Sequence, residues 1–107
     1  MFRAIDSRDW RELPGFFDPE VVYERPGYDP FVGIDRLMTF YEKERVIAEG
    51  THHLQSVLVD GDRAACWGRF VGKHRDGGDI GVTFADFHEL RNGRIRARRS
   101  FFYPPAV

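Results

Sequence analysis

Three Gly-containing turns divide the second half of this chain into four long, largely apolar runs. Asp60-Gly61, Asp76-Gly77 and Asn92-Gly93 each supply the residues of a tight type I′ hairpin turn, because glycine adopts a positive φ without steric cost. The runs they separate cover residues 51–59, 63–74, 79–90 and 94–103. Each exceeds the average strand of about 5–6 residues. Four long hairpin-linked strands predict a twisted antiparallel meander with one concave face.

The first half of the chain predicts the helices that fill this concave face. Residues 2–6 have the pattern of the last turns of a helix, and residues 34–45 form an amphipathic one. The stripe of that second helix consists of Ile34, Leu37, Met38, Tyr41 and Arg45. Residues 21–25 predict one short strand, followed by a loop at 26–33. The predicted fold class is α+β, a curved antiparallel sheet made of a four-stranded meander plus a short strand and wrapped around helices.

Composition limits the classes of protein to which the chain can belong. Its 107 residues fit a single domain spanning 1–107. A net charge of −1, with both signs interspersed, predicts no nucleic-acid partner and no attraction to an anionic membrane. No apolar run reaches the roughly 18 residues that a membrane span needs. The single cysteine, Cys66, fits a reducing compartment, so we expect a cytoplasmic location.

Segments in both halves resemble one known family. The sequences Val-Val-Tyr-Glu-Arg-Pro at 21–26, Phe-Val-Gly-Ile-Asp-Arg-Leu at 31–37 and the hairpin at 84–95 are similar to the SnoaL-like and ketosteroid isomerase-like group. This group belongs to the nuclear transport factor two-like cone-fold superfamily. The resemblance covers nearly the whole chain and implies a cone with an apolar pocket between the 34–45 helix and the sheet. It also implies a longer first helix, so we expect this helix to be truncated at Met1.

The resemblance says less about activity, because the superfamily hosts isomerases, aldol cyclases, epoxide hydrolases, dehydratases and non-catalytic binders. Three catalytic positions of relatives are occupied here by Met1, Arg25 and Ser100. They replace an oxyanion-hole Tyr, a general-base Asp and a catalytic Asp of the final strand. One position matches: Asp86 stands where ketosteroid isomerases keep a carboxylic acid that an apolar site holds neutral.

Asp86 and His88 are the candidate catalytic residues. Strand alternation places them on one face together with Phe84 and Leu90. In such apolar surroundings desolvation raises the pKa of an aspartate and lowers that of a histidine, whereas mutual pairing opposes both shifts. We expect a raised pKa for Asp86. The alternative is that either residue is only a hydrogen-bonded strand residue, and a pairing of Asp86 with an arginine would favour a non-catalytic protein.

Four further residues are predicted to bind a ligand. Tyr23 and Tyr28 flank a Pro-Gly turn that lies at the mouth of the pocket in the cone fold. Either tyrosine can donate a hydrogen bond to a substrate oxygen, or it can only line the wall of the pocket. Phe84 would line the pocket. Ser100 would point into it together with Arg98, unless a β-bulge reverses the faces of the last strand.

A metal centre is not predicted. His52 and His53 are adjacent on a strand and point to opposite faces, so both cannot bind one ion. With His74 and His88 they complete the histidines of the chain, and no spacing matches a metal signature. No cofactor is implied either.

The function predicted is that of a cofactor-independent acid/base isomerase or cyclase acting on a small hydrophobic carbonyl or polyketide-like molecule. Asp86 would polarise the substrate oxygen or transfer a proton, and His88 would assist. The alternative is a non-catalytic ligand-binding or dimeric scaffold protein. Epoxide hydrolysis is the third choice, since it needs a carboxylate to activate water and Ser100 cannot supply one. Large apolar residues on both faces of the strands, such as Trp67 and Phe70, predict a homodimer through the outer face of the sheet.

Overall fold

A mixed six-stranded sheet curves around a few short helical segments in a computed structural model that describes residues 1–104. The order of the strands across the sheet is β2-β1-β6-β5-β4-β3. This arrangement confirms the predicted α+β class. The elements are α1 (Phe2–Asp6), a 3₁₀ turn (Leu13–Phe16), β1 (Phe17–Glu24), β2 (Phe31–Val32), α2 (Ile34–Thr39), a π-helical turn (Phe40–Glu44), β3 (Ile47–Asp60), β4 (Arg63–His74), β5 (Asp79–Arg91) and β6 (Arg94–Tyr103).

The predicted meander of four hairpin-linked strands is confirmed by β3 to β6, which pair antiparallel in sequence order. The turn between β5 and β6 has positive φ at both central residues, 53° at Asn92 and 78° at Gly93, as a type I′ turn requires. Gly61 and Gly77 also have positive φ in the other two connections. Glycine is therefore needed in each hairpin because the chain reverses there through left-handed backbone.

The front of the sheet differs from the prediction in two respects. β1 begins at Phe17, four residues before the predicted strand, and pairs parallel to β6, so the sheet is mixed and not purely antiparallel. Its ladder with β6 is interrupted between Phe17 and Val22, where Pro19 need not donate a hydrogen bond. β2 lies within the predicted loop and pairs with β1. Because proline is unfavourable inside a paired strand, the local sequence around Pro19 does not predict the first half of β1.

The predicted 34–45 helix forms, but its second half is a π-helical turn. The backbone N–H of Arg45 donates to the carbonyl oxygen of Phe40 at 2.8 Å, which closes this wider turn. Leu37, Phe40 and Tyr41 are buried. Arg45 is buried as well, directly after the turn, although arginine is rarely buried without a partner.

Two apolar clusters form the core of the described residues. The larger joins α1, α2, β1 and β2, and the smaller lies on the concave face of β3 to β5. Its members are Ile47, Cys66, Phe70, Ile80, Val82 and Phe84. Phe2 of α1 packs partly against both clusters. The space between them holds the polar residues described below.

Large apolar side chains are exposed on the outer face of the sheet, where we predict that two copies of the chain form a homodimer. Phe87 and Phe101 are 52% and 48% exposed and their ring centroids lie 5.8 Å apart, with Trp67 and Val71 also exposed. We expect sedimentation equilibrium to give twice the chain mass of 12.5 kDa. A Phe87→Glu variant should shift the mass to that of the monomer, whereas Val32→Glu, on the edge strand, should not. A wild-type protein that stays monomeric at all concentrations would contradict the prediction.

Candidate functional site

A bulge in β6 decides which of its residues face the concave interior. The pairing of β6 with β5 shifts by one residue at Arg96. As a result Ile95, Arg98 and Ser100 are all buried, although strict alternation places Ile95 and Arg98 on opposite faces. The structure therefore answers the question that the sequence left open: Arg98 and Ser100 point inward.

Arg98 and Asp86 form a buried ion pair at the centre of this interior. The Nε and Nη2 atoms of Arg98 lie 2.8 and 2.7 Å from Oδ2 of Asp86. The Nη1 atom of Arg98 donates to the phenolic oxygen of Tyr41 at 2.6 Å. Asp86 and Arg98 are only 1% and 4% exposed, so water competes little for either charge.

A chain of hydroxyl groups extends from the other oxygen of Asp86. Ser100 Oγ donates to Asp86 Oδ1 at 2.5 Å. Because the proton of Ser100 is used in this bond, its oxygen accepts the hydrogen of the Tyr23 hydroxyl at 2.7 Å. Tyr23 in turn accepts a hydrogen bond of 3.1 Å from Nη1 of Arg25. The sequence brings these residues together only through the parallel pairing of β1 with β6.

The expected raised pKa of Asp86 is wrong. Burial by itself raises the pKa of this carboxyl, but the positive charge of Arg98 and the hydrogen bonds to the carboxylate outweigh it. The pKa of Asp86 therefore lies below its ordinary value, and the group is an anion at neutral pH. Asp86 cannot donate a proton to a substrate oxygen as a neutral acid would.

His88 lies next to Asp86 and is the cross-strand neighbour of Arg98 in the ladder of β5 with β6. Its Nε2 atom is 3.6 Å from Oδ2 of Asp86, which is longer than a hydrogen bond. The same nitrogen is buried and has no hydrogen-bond partner within residues 1–104. The unpartnered Nε2 atom of the imidazole is thus the one that faces the Asp86 carboxylate.

A small inner cavity adjoins the ion pair. Its volume of about 10 Å³ leaves room for about one water molecule. The apolar part of its wall includes Phe70, Phe84 and Phe102. The polar part is formed by Arg25, Tyr41, Arg45, His52, Asp86 and Arg98. The expected apolar pocket is therefore mixed in character at this end of the cone.

An open groove of about 620 Å³ lies on the concave face beyond His88. Most of its wall is apolar, including Leu54, Val57 and Leu90. Phe2 separates the groove from the inner cavity: its ring stacks on His52 at 4.5 Å and lies 5.4 Å from Phe84. A ligand that extends from the groove into the cavity has to displace this ring.

Most of the predicted site residues lie in the hydrogen-bond network or line the inner cavity or the groove. Tyr23, Asp86 and Ser100 share the hydrogen-bond network, Phe84 lines the inner cavity, and His88 lines the groove. Tyr28 is not brought to either space. Its ring packs on Phe31 and Phe40 with centroid distances of 5.6 and 5.3 Å, as part of the larger apolar cluster.

Four polar residues of the cavity wall were not predicted as site residues: Arg25, Tyr41, Arg45 and His52. Arg45 gave a signal, since it is the only charged residue in the apolar stripe of the 34–45 helix. His52 gave none, because its partner is 46 residues away. Asp6 accepts hydrogen bonds from Nδ1 and from the backbone N–H of His52, at 2.6 and 2.8 Å. Burial lowers the pKa of His52, although Asp6 opposes the shift.

Within residues 1–104, no group of three or more His, Cys, Asp or Glu side chains is placed to hold a metal ion. In the same part of the chain no helix has the length and apolar character that crossing a membrane requires.

A model of the SnoaL-like domain family matches residues 1–98. This chain belongs to the SnoaL-like domain family. The predicted membership is thereby confirmed. A search of curated proteins found no match.

Solved structures share the fold of this SnoaL-like protein at low sequence identity. An NTF2-like protein of unknown function from Burkholderia pseudomallei superposes with a TM-score of 0.86 and 19% identity, over 94% of this chain and 83% of that one. TerC, co-crystallised with polyporic acid, has a TM-score of 0.84 and 16% identity, over 94% and 84% of the chains. A proposed ketosteroid isomerase from Kribbella flavida has a TM-score of 0.79 and 20% identity, over 99% of this chain and 73% of that one.

Other structures with this fold include an LEH-like epoxide hydrolase from M. tuberculosis and a proposed SnoaL-like polyketide cyclase from Jannaschia. Their identities of 17% and 20% establish a common fold and leave the activity of this SnoaL-like protein to its own residues.

Proposed function

We propose that this SnoaL-like protein is a cofactor-independent isomerase or cyclase that moves a proton on a small hydrophobic carbonyl or polyketide-like molecule. The observation that carries the proposal is the position of His88, with one side beside the buried anion Asp86 and the other facing an apolar groove. The roles of the two predicted catalytic residues are thereby exchanged: His88 transfers the proton, and Asp86 supports it.

The neighbours of His88 suit a proton-transfer group. An imidazole that takes a proton from carbon becomes a cation, and the Asp86 carboxylate 3.6 Å away stabilises that cation. Asp86 stays ionised because Arg98 holds it so. In an isomerisation His88 returns the same proton to a second carbon of the substrate, so no oxidant, metal or cofactor enters the step.

Tyr41 is the group best placed to stabilise negative charge that develops on a substrate oxygen. Its oxygen accepts from Arg98, and within the described residues its own hydrogen has no acceptor. Burial raises the pKa of Tyr41, so the phenol keeps that hydrogen at neutral pH. Tyr41 can therefore donate to an enolate oxygen in the inner cavity, in surroundings that exclude most water.

The shape of the groove and the structural neighbours of the protein support an apolar ligand that carries oxygen atoms. The groove is large enough for a small molecule, whereas the inner cavity admits only one polar group unless its wall moves. Structural neighbours include a protein co-crystallised with polyporic acid and proteins proposed to act on steroids and polyketides. Epoxide hydrolysis has less support, because the Asp86 carboxylate is held by Arg98 and Ser100 and is a poor base for water.

The experiment measures exchange of α-hydrogens with deuterium in a panel of small enolisable ketones, such as 2-tetralone, by NMR. We expect the wild-type protein to accelerate exchange of at least one member over buffer. His88→Gln should lose on the order of 100-fold of that acceleration, the usual contribution of a positioned acid/base group. His53→Gln, an exposed histidine of the same sheet, is the matched control and should keep full activity.

A non-catalytic binding protein is the second candidate, and the Arg98–Asp86 pair favours it, because structural ion pairs are built in the same way. Ketones that bind without any acceleration of exchange would support binding alone and contradict catalysis. Equal activities of His88→Gln and His53→Gln would contradict the role of His88.

A further inference from the structure

We infer that the inner cavity is an anion site, in which Arg25 and Arg45 hold the carboxylate of an organic acid whose apolar body lies towards the groove. This inference rests on the proposed function only in using the same ligand space. It names the class of ligand and does not require turnover.

The first argument is the charge around the cavity. Three arginines of its wall are buried, and among the lining residues Asp86 is the only carboxylate. Asp86 is committed to Arg98 through two contacts below 3 Å. Arg25 and Arg45, which are 7% and 5% exposed, therefore remain as two buried positive charges without an anion in the wall.

The second argument is that both guanidinium groups lack hydrogen-bond partners that their burial demands. The Nε atoms of Arg25 and Arg45 are buried and unpartnered within residues 1–104. Arg25 donates only to the neutral hydroxyl of Tyr23, and Arg45 makes no side-chain hydrogen bond in that range. Aromatic rings surround them instead, with Phe102 4.8 Å from Arg25 and Phe70 5.9 Å from Arg45.

The acidic residues next to them in sequence are not available. Glu24 pairs with Arg99 at 2.8 Å and Glu44 pairs with Arg36 at 2.7 Å, both at exposed positions. Asp6, the other acid near the cavity, is bonded to His52. Residues 1–104 therefore supply no counter-ion for Arg25 and Arg45, although burial of an unpaired charge is costly.

A carboxylate suits the two guanidinium groups of this site. Its two oxygens match the paired N–H groups of a guanidinium, which binds carboxylates in a bidentate way. Burial lowers the pKa of Arg45 only to about 10, so the side chain is still a cation at neutral pH. The phenylalanines of the wall and the groove beyond Phe2 favour an apolar body attached to the carboxylate.

The experiment compares 2-naphthoate with its neutral isostere 2-naphthamide by isothermal titration calorimetry on the whole chain. We expect the acid to bind wild-type protein at least about tenfold more tightly than the amide, because only the acid neutralises the arginines. Arg45→Met should abolish that preference. Arg11→Met removes the same charge from an exposed position and should keep it.

If Arg45→Met does not fold, Arg45→Lys is used in its place. Lysine keeps the positive charge but lacks the paired N–H groups of the guanidinium. It should retain a weaker preference for the acid. Equal affinities of the acid and the amide for wild-type protein, or an unchanged preference in Arg45→Met, would overturn the anion site. Deuterium exchange on neutral ketones does not depend on this outcome, so the two proposals fail separately.

Discussion

Asp86→Asn should lower the free energy of unfolding at pH 7 by about 3–5 kcal/mol, because it removes one partner of a buried ion pair. Arg98 would then be left uncompensated, 4% exposed, in a cavity wall that already holds Arg25 and Arg45. Ser100 would also lose the carboxylate to which it donates. Urea unfolding followed by circular dichroism measures the loss. Asp79→Asn, which breaks the exposed pair with Lys73, should leave the unfolding midpoint almost unchanged.

The loss should depend on pH in one direction. The pKa of Asp86 is lowered in the folded protein relative to about 3.9 in the unfolded chain. Its contribution to stability is therefore complete above about pH 5 and falls as the pH drops through the unfolded pKa towards the folded one. The difference in stability between wild type and Asp86→Asn should be constant from pH 5 to 8 and shrink below pH 4. A difference that grows on acidification would mean that the folded protein holds Asp86 neutral.

Gly68→Ala should destabilise the protein by on the order of 3 kcal/mol, because the backbone of β3 passes too close for a side chain. A Cβ at Gly68 would overlap the carbonyl oxygen of His53 and meet Cα of Leu54 at 3.0 Å. These are backbone atoms of a paired strand, next to a shift in register between Leu54 and Ser56, and they cannot move singly. Thermal and urea unfolding report the change.

Gly81→Ala is the control for this substitution within the same sheet. Its Cβ would meet the guanidinium of Arg69 at 2.7 Å, and that group ends a flexible exposed side chain that can turn away. We expect a change well under that of Gly68→Ala. Equal losses in the two variants would contradict the close approach of β3 as the reason that glycine is necessary at position 68.

Much of the sheet could be predicted from local sequence. A turn such as Asn92-Gly93 needs positive φ at two successive residues, a demand that few residue types meet, so the hairpins were visible without any tertiary contact. The predicted strand at 21–25 is shorter than β1, because nothing in the local sequence reveals the interrupted ladder with β6 that accommodates Pro19. The family resemblance was visible for the same reason as the hairpins: it is carried by contiguous segments.

The candidate site could be predicted only in part. Alternation along β5 placed Asp86 and His88 on the concave face, but the sign of the pKa shift of Asp86 depended on Arg98. Arg98 comes within reach through the register of β5 with β6 and through the bulge at Arg96. Neither is encoded by a periodic pattern, since a bulge reverses the very alternation on which the pattern depends.

The sequence by itself determined the four hairpin-linked strands, their turns and the face on which Asp86 lies, because backbone preferences and side-chain alternation act over a few residues. Tertiary structure decided which charged groups meet. It places Asp86 against Arg98 and beside His88. It also leaves Arg25 and Arg45 without an acidic partner in the cavity wall. Electrostatic energies depend on distance and burial, and both are set by residues far apart in the chain. Tyr23 and Ser100, 77 residues apart and joined at 2.7 Å, are the plainest case.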